Sequence, residues 1–164
     1  MKYLILKKIN AIIVMTLMSS GVFAQSESVF LNLNLGRTTY QEALRQVNNS
    51  RYRNGYKINN GSIYIVSSPV EQNNGMIWDY LDIHFSNGYI NNIHFHSTSV
   101  NHNQEYVRKK YLQLKEYLNS NSKYTFWHKE GESLYFKYNG DCAVLGIFDS
   151  EVAGKVVRVQ YIDL

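Results

Sequence analysis

An internal disulfide is excluded at once: the 164 residues hold a single cysteine, Cys142. An exported domain without cross-links depends on its apolar core. Proline also occurs once, at Pro69, so no proline-rich linker divides the chain. There is no glycine-rich phosphate loop, no His-Glu-x-x-His pair and no Gly-x-Ser-x-Gly elbow. The apolar run Ile9 to Met18 is too short to span a bilayer.

That run has another use. Lys2, Lys7 and Lys8 precede or flank it, and Val22 and Ala24 stand at the −3 and −1 positions before Gln25. This is a signal-peptide pattern, with cleavage expected after Ala24 and a periplasmic or extracellular destination. No cysteine stands near that point to take a lipid. The chain has 17 basic and 13 acidic residues; removing three lysines with the signal leaves 14 against 13. A near-neutral mature chain gives no reason to expect nucleic acid as a partner, and no membrane span is expected after cleavage.

What is abundant is tyrosine, with 14 residues, together with asparagine in turn-like positions. Tyr40, Ala43, Leu44 and Val47 follow i, i+3, i+4, i+7 and predict a helix, opened by a Thr39/Glu42 capping box. Four strand-like runs follow, near Tyr56–Ile58, Ser62–Ser67, Ile77–Ser86 and Tyr89–Ser97, with "NNG" and "SNG" as turns. The order then restarts. Val107, Tyr111, Leu114 and Leu118 predict a helix over 103–119, and four more runs end at Lys155–Ile162. The expectation is an α+β protein of two tandem αββββ units, about 30–98 and 99–164 within a single domain 25–164. Its antiparallel sheet would carry the helices on one face.

Three of the five histidines lie in "DYLDIHFSNGYINNIHFHS", residues 79 to 97. A three-residue loop, Ser86-Asn87-Gly88, sorts this hairpin best. It pairs Phe85 with Tyr89 and Leu81 with Ile93, and gathers Leu81, Ile83, Phe85, Tyr89, Ile93 and Phe95 on one face. The other face receives Trp78, Tyr80, Asp82, His84, Ile90, Asn92, His94 and His96. His94-x-His96 is a spacing that metal sites use, with Asp82 diagonally across from His94. Strand alternation alone also produces such pairs, and no third ligand is fixed by spacing, so no metal and no cofactor are expected. Aromatic rings beside polar groups suit a protein interface instead. Trp78, Tyr80, Asp82, His84, His94 and His96 are therefore the candidate binding residues. Elsewhere, Cys142 in "GDCAVLGIF" reads as a buried, inert thiol, and no catalytic residues are identified.

The phrases "FLNLNLGRTTYQEALRQV", "IHFSNGYINNIHF" and "YLQLKEYLNSNSKY", set in this order of elements, resemble small exported proteins of Bacteroidetes with the β-lactamase-inhibitor-protein-like fold. More distantly the chain is similar to envelope lipoproteins of the SmpA/OmlA type. The resemblance implies a non-enzymatic, protein-binding role in the cell envelope. The alternative is a ligand, glycan or metal binder using the histidine and aromatic face of the hairpin.

Overall fold

Thr39 Oγ1 accepts the Glu42 N–H at 3.3 Å while Glu42 Oε2 accepts the Thr39 N–H at 2.9 Å, so the capping box forms as its sequence requires. It opens helix α1 (Tyr40–Asn48), which buries Ala43 and Val47. The coordinates are a computed structural model that describes residues 28–67 and 69–164. The expected signal segment and its expected cleavage point lie outside the described residues. Helix α2 (Gln104–Ser120) is capped by Asn103, whose side chain accepts the Tyr106 N–H at 2.7 Å, and it buries Val107, Leu114 and Leu118.

The strands are β1 (Tyr56–Asn59), β2 (Ser62–Ile65), β3 (Val70–Glu71), β4 (Ile77–Trp78), β5 (Tyr80–Ser86), β6 (Tyr89–Thr98), β7 (Tyr124–Glu130), β8 (Ser133–Tyr138), β9 (Asp141–Ser150) and β10 (Gly154–Ile162). Eight of them form one antiparallel sheet in the order β1-β2-β5-β6-β10-β9-β8-β7. Among the described residues the protein is thus α+β, dominated by an antiparallel sheet with two helices. The sheet's centre is the pairing of β6 with β10, where Phe95 opposes Val159 and His96 opposes Arg158. β3 and β4 form a separate two-stranded ribbon that the sequence pattern did not predict.

Three hairpins turn through Asn-Gly: Asn60-Gly61, Asn87-Gly88 and Asn139-Gly140. All six residues have positive φ, between 47° and 91°. This is the geometry of the two-residue turn whose twist matches the flanking strands. Alternate residues Ile63, Leu81, Ile83, Ile93, Phe95 and Val159 then point to one side. There they join a single apolar cluster with the buried residues of both helices.

The β5–β6 hairpin departs from the expected register. Its loop has two residues, with Ser86 opposite Tyr89 and Phe85 opposite Ile90; the register then shifts, so that His84 faces Asn92 and Leu81 faces Phe95. Asn91 is the extra residue. A two-residue turn alone would mix polar and apolar side chains, and the bulge corrects the phase after one pair. Leu81, Ile83, Ile93 and Phe95 therefore keep their predicted face. Tyr89 and Ile90 exchange roles: Ile90 is buried and Tyr89 is exposed.

A second correction concerns Trp78. The expected strand Ile77–Ser86 breaks at Asp79, whose carboxylate accepts the Thr98 N–H at 2.8 Å and lies 2.8 Å from His102 Nε2. A straight strand would put Trp78 beside Tyr80. The break turns it to the opposite side, where it is 1% exposed and 5.6 Å from the Phe95 ring. Its Nε1–H donates to Gln72 Oε1 at 3.1 Å, and the Lys110 ammonium lies 4.4 Å from its ring centre. Trp78 is a core residue and not part of the hairpin's polar face.

Candidate functional site on the open sheet face

The side of the sheet away from the helices is built by the same alternation that fills the core. Tyr64 of β2, Tyr80, Asp82 and His84 of β5, His94 and His96 of β6, and Arg158 and Gln160 of β10 share it. Register sets their neighbours. Asp82 stands between Tyr64 and His94, Gln160 lies beyond His94, and His96 lies between Tyr80 and Arg158. Five of the six residues proposed from sequence are thus brought together, and Trp78 is not among them.

The cluster is less wet than its composition suggested. Asp82, His84 and His94 are half-buried, and His96 is 5% exposed. Tyr80 covers His96 by stacking on it, with ring centres 4.4 Å apart and planes 7° from parallel. The His84 and His94 rings are 4.7 Å apart, and Ser62 Oγ lies 3.0 Å from His84 Nδ1. His96 Nε2 lies 3.1 Å from Asp82 Oδ2, yet neither ring nitrogen of His96 has a hydrogen-bond partner, and His94 Nε2 has none either. One ligand atom each from Asp82, His94 and His96 can be chosen so that all lie within 4.8 Å of one another. The bulge at Asn91 is responsible, because it moves Asp82 from the expected diagonal position to directly opposite His94.

Burial drives the His94 imidazole down to about 3, with the neighbouring His84, Arg158 and His96 acting in the same direction. It is neutral at physiological pH, with one ring nitrogen free to accept or ligate. Burial lowers His84 as well and raises the Tyr80 phenol. The Arg158 guanidinium rests over the Phe148 ring at 4.9 Å.

The far end of the same face holds residues that the sequence reading did not select. His128 of β7 stacks on Tyr135 of β8 with ring centres 4.2 Å apart. Trp127, the extra residue of a second bulge, is 50% exposed and has the Lys137 ammonium 5.4 Å from its ring centre. Alternation between Val157 and Val159 could have assigned Arg158 to a polar face. Nothing local said that β10 lies beside β6. The bulge hid Trp127, because strict alternation would put it with Lys129 on the face opposite to His128. The thiol of Cys142 is buried, as expected, and burial pushes it up.

Set against known proteins, the chain matches no family model, no curated protein and no solved structure. Among the described residues no helix is long and apolar enough to cross a membrane.

Proposed function

We propose that this chain is an exported, non-catalytic protein-binding module that engages its partner with the open face of the sheet. The observation that carries this reading is the band of rings along that face. It runs from Tyr64 and Tyr80 past Arg158 to the stacked His128–Tyr135 pair and half-exposed Trp127. Tyrosine, tryptophan and arginine are the residues that most often anchor protein interfaces. In this reading the sheet derives from two αββββ units with both helices on one side, in the manner of the β-lactamase-inhibitor-protein-like fold, and the polar side is left for a partner. The leader-like segment supports export to the periplasm or cell surface.

A photo-reactive residue at Tyr135, compared with one at exposed Lys109 of α2, tests the choice of face. Exposed to the native envelope fraction, the Tyr135 probe should give one adduct of defined mass, lost on Trp127→Ala. Equal adducts from Lys109, or none from the open face, would sink the proposal.

A further inference from the structure

We propose that Asp82, His94 and His96 form a seat for one divalent first-row transition-metal ion, with zinc as its representative ligand. The seat does not depend on the protein-binding reading; it is carried by separate observations.

The donor set is the first. Two imidazoles and one carboxylate are borderline and hard ligands, suited to zinc and its neighbours. Thiolate or thioether donors, which would select cuprous ion, are missing from the set. An all-oxygen cage, which calcium and magnesium prefer, is missing too.

Geometry is the second. Ligands about 2.0–2.2 Å from a tetrahedral ion stand about 3.3–3.6 Å from one another. The Asp82 Oδ2–His96 Nε2 pair is at 3.1 Å, and the three donors fall within 4.8 Å of each other. The wider separations must shorten by up to about 1.5 Å as the side chains close on the ion. All three side chains project from adjacent antiparallel strands, which hold their spacing more rigidly than loops would.

The third observation is the state of His96. It is more than nine-tenths buried, it lies between Asp82 and the Tyr80 ring, and neither ring nitrogen makes a hydrogen bond, Nε2 meeting Asp82 Oδ2 only as a 3.1 Å contact. Buried polar nitrogens are ordinarily paired. A metal ion between Asp82 and His96 would turn that contact, which forms no hydrogen bond, into two coordination bonds and would accept a lone pair from His94.

The neighbours set limits on the site. Arg158, opposite His96 on β10, brings a positive charge to this face, so one carboxylate must offset both it and the ion. Affinity in the micromolar range is the consequence, below that of a closed structural zinc site. His84 flanks His94, but Ser62 Oγ engages its Nδ1 at 3.0 Å, and it is not one of the three mutually close donors. The fourth coordination position is therefore left to water or to a donor from outside the chain.

The test uses the mature chain, stripped with chelator and titrated with zinc chloride by calorimetry. One ion per chain should bind with a micromolar Kd. Loss of an outer-shell partner alone weakens metal sites about 10–100-fold, so Asp82→Asn, His94→Gln and His96→Gln should each weaken binding at least about tenfold. His84→Gln should change it less than about threefold, and His102→Gln and His128→Gln not at all. Because His96→Gln alters a buried position, the unmodified protein gives a second readout. Its His94 and His96 imidazole NMR signals should move at the first equivalent of zinc, ahead of those of His102 and His128. Binding unchanged by the three ligand substitutions would overturn the proposal. So would shifts led by His102 or His128, or no stoichiometric binding in the unmodified protein.

Discussion

Trp78→Ala separates the observed fold from the one its hairpin sequence suggested. On an open face the substitution would cost little. In the core it removes an aromatic side chain that is 1% exposed and packed against Phe95. Burying a ring of this size removes about 150–250 Å² from water, and truncating buried tryptophan typically costs about 3–5 kcal/mol. The loss does not stop at area. Gln72 is itself buried, and its Oε1 would lose the indole N–H while its amide still donates to Tyr161 Oη at 2.8 Å. An orphaned buried acceptor costs about 1–3 kcal/mol, so a total of about 4–8 kcal/mol is expected. The Lys110 ammonium also loses the ring beneath it, although its contact to the Ile77 carbonyl remains. Urea unfolding followed by far-UV circular dichroism measures the sum. Trp78→Phe, which keeps most of the area and deletes the N–H, should cost about 1–3 kcal/mol. Trp127→Phe, at a half-exposed site, should stay within about 0.5 kcal/mol of the parent. Because the chain has two tryptophans, the Trp127→Phe protein reports on Trp78 alone, and its fluorescence should be that of a buried indole. A cost below about 1 kcal/mol for Trp78→Ala, or water-like emission from Trp78, would refute the assignment.

Leu81→Ala, at a fully buried position opposite Phe95, should cost about 2–5 kcal/mol in the same urea assay; a cost under 1 kcal/mol would reject the observed sheet register. Gly88→Ala adds a side chain where φ is +83° and no neighbouring atom lies within 4 Å, so its cost should be backbone strain alone, about 1–2 kcal/mol, with an unchanged sheet spectrum. In metal-free protein, imidazole NMR should show His94 neutral down to about pH 4, because its folded value is about 3 against 6.5 unfolded. Between those values the unfolded chain holds the extra proton, so stability should fall as pH is lowered from about 6.5, and His94→Gln should flatten that slope; titration of His94 near pH 6.5 would contradict its burial.

Local chemistry made much of this fold legible. The Thr39–Glu42 box and the apolar stripes of both helices act within a few residues and match the sequence expectation; the Asn-Gly turns were located, but the loop at Asn87-Gly88 is one residue shorter than expected. The faces of Leu81, Ile83, Ile93 and Phe95 were also correct, though reached through the wrong register. A three-residue loop and a two-residue loop followed by a bulge share the same alternation beyond Asn91. In the face each residue takes they differ only at Tyr89 and Ile90, but the cross-strand partners differ throughout, which is why Asp82 meets His94 directly. The break at Asp79 could not be seen because its cause is distant: the backbone of Thr98 and the side chain of His102 engage the carboxylate. The candidate site divides in the same way. Its hairpin residues were found by alternation. Arg158, Tyr135, His128 and Trp127 join it only because β10, β9, β8 and β7 follow β6 across the sheet.

The seam between β6 and β10 also orders events in time. β6 ends at Thr98, and the strand that must lie against it begins at Gly154 and is made only after α2, β7, β8 and β9. Until it arrives, the first four strands of the sheet end in an unpaired edge that carries Ile93 and Phe95. Such an edge is a template for another chain. Pairing across so large a sequence separation is slow to nucleate, because the intervening loop must be closed first. The segment Gly154–Ile162 therefore acts as a latch. Delay in its docking would favour exchange of this strand between two molecules, and a chain truncated before Gly154 would keep β6 open to aggregation.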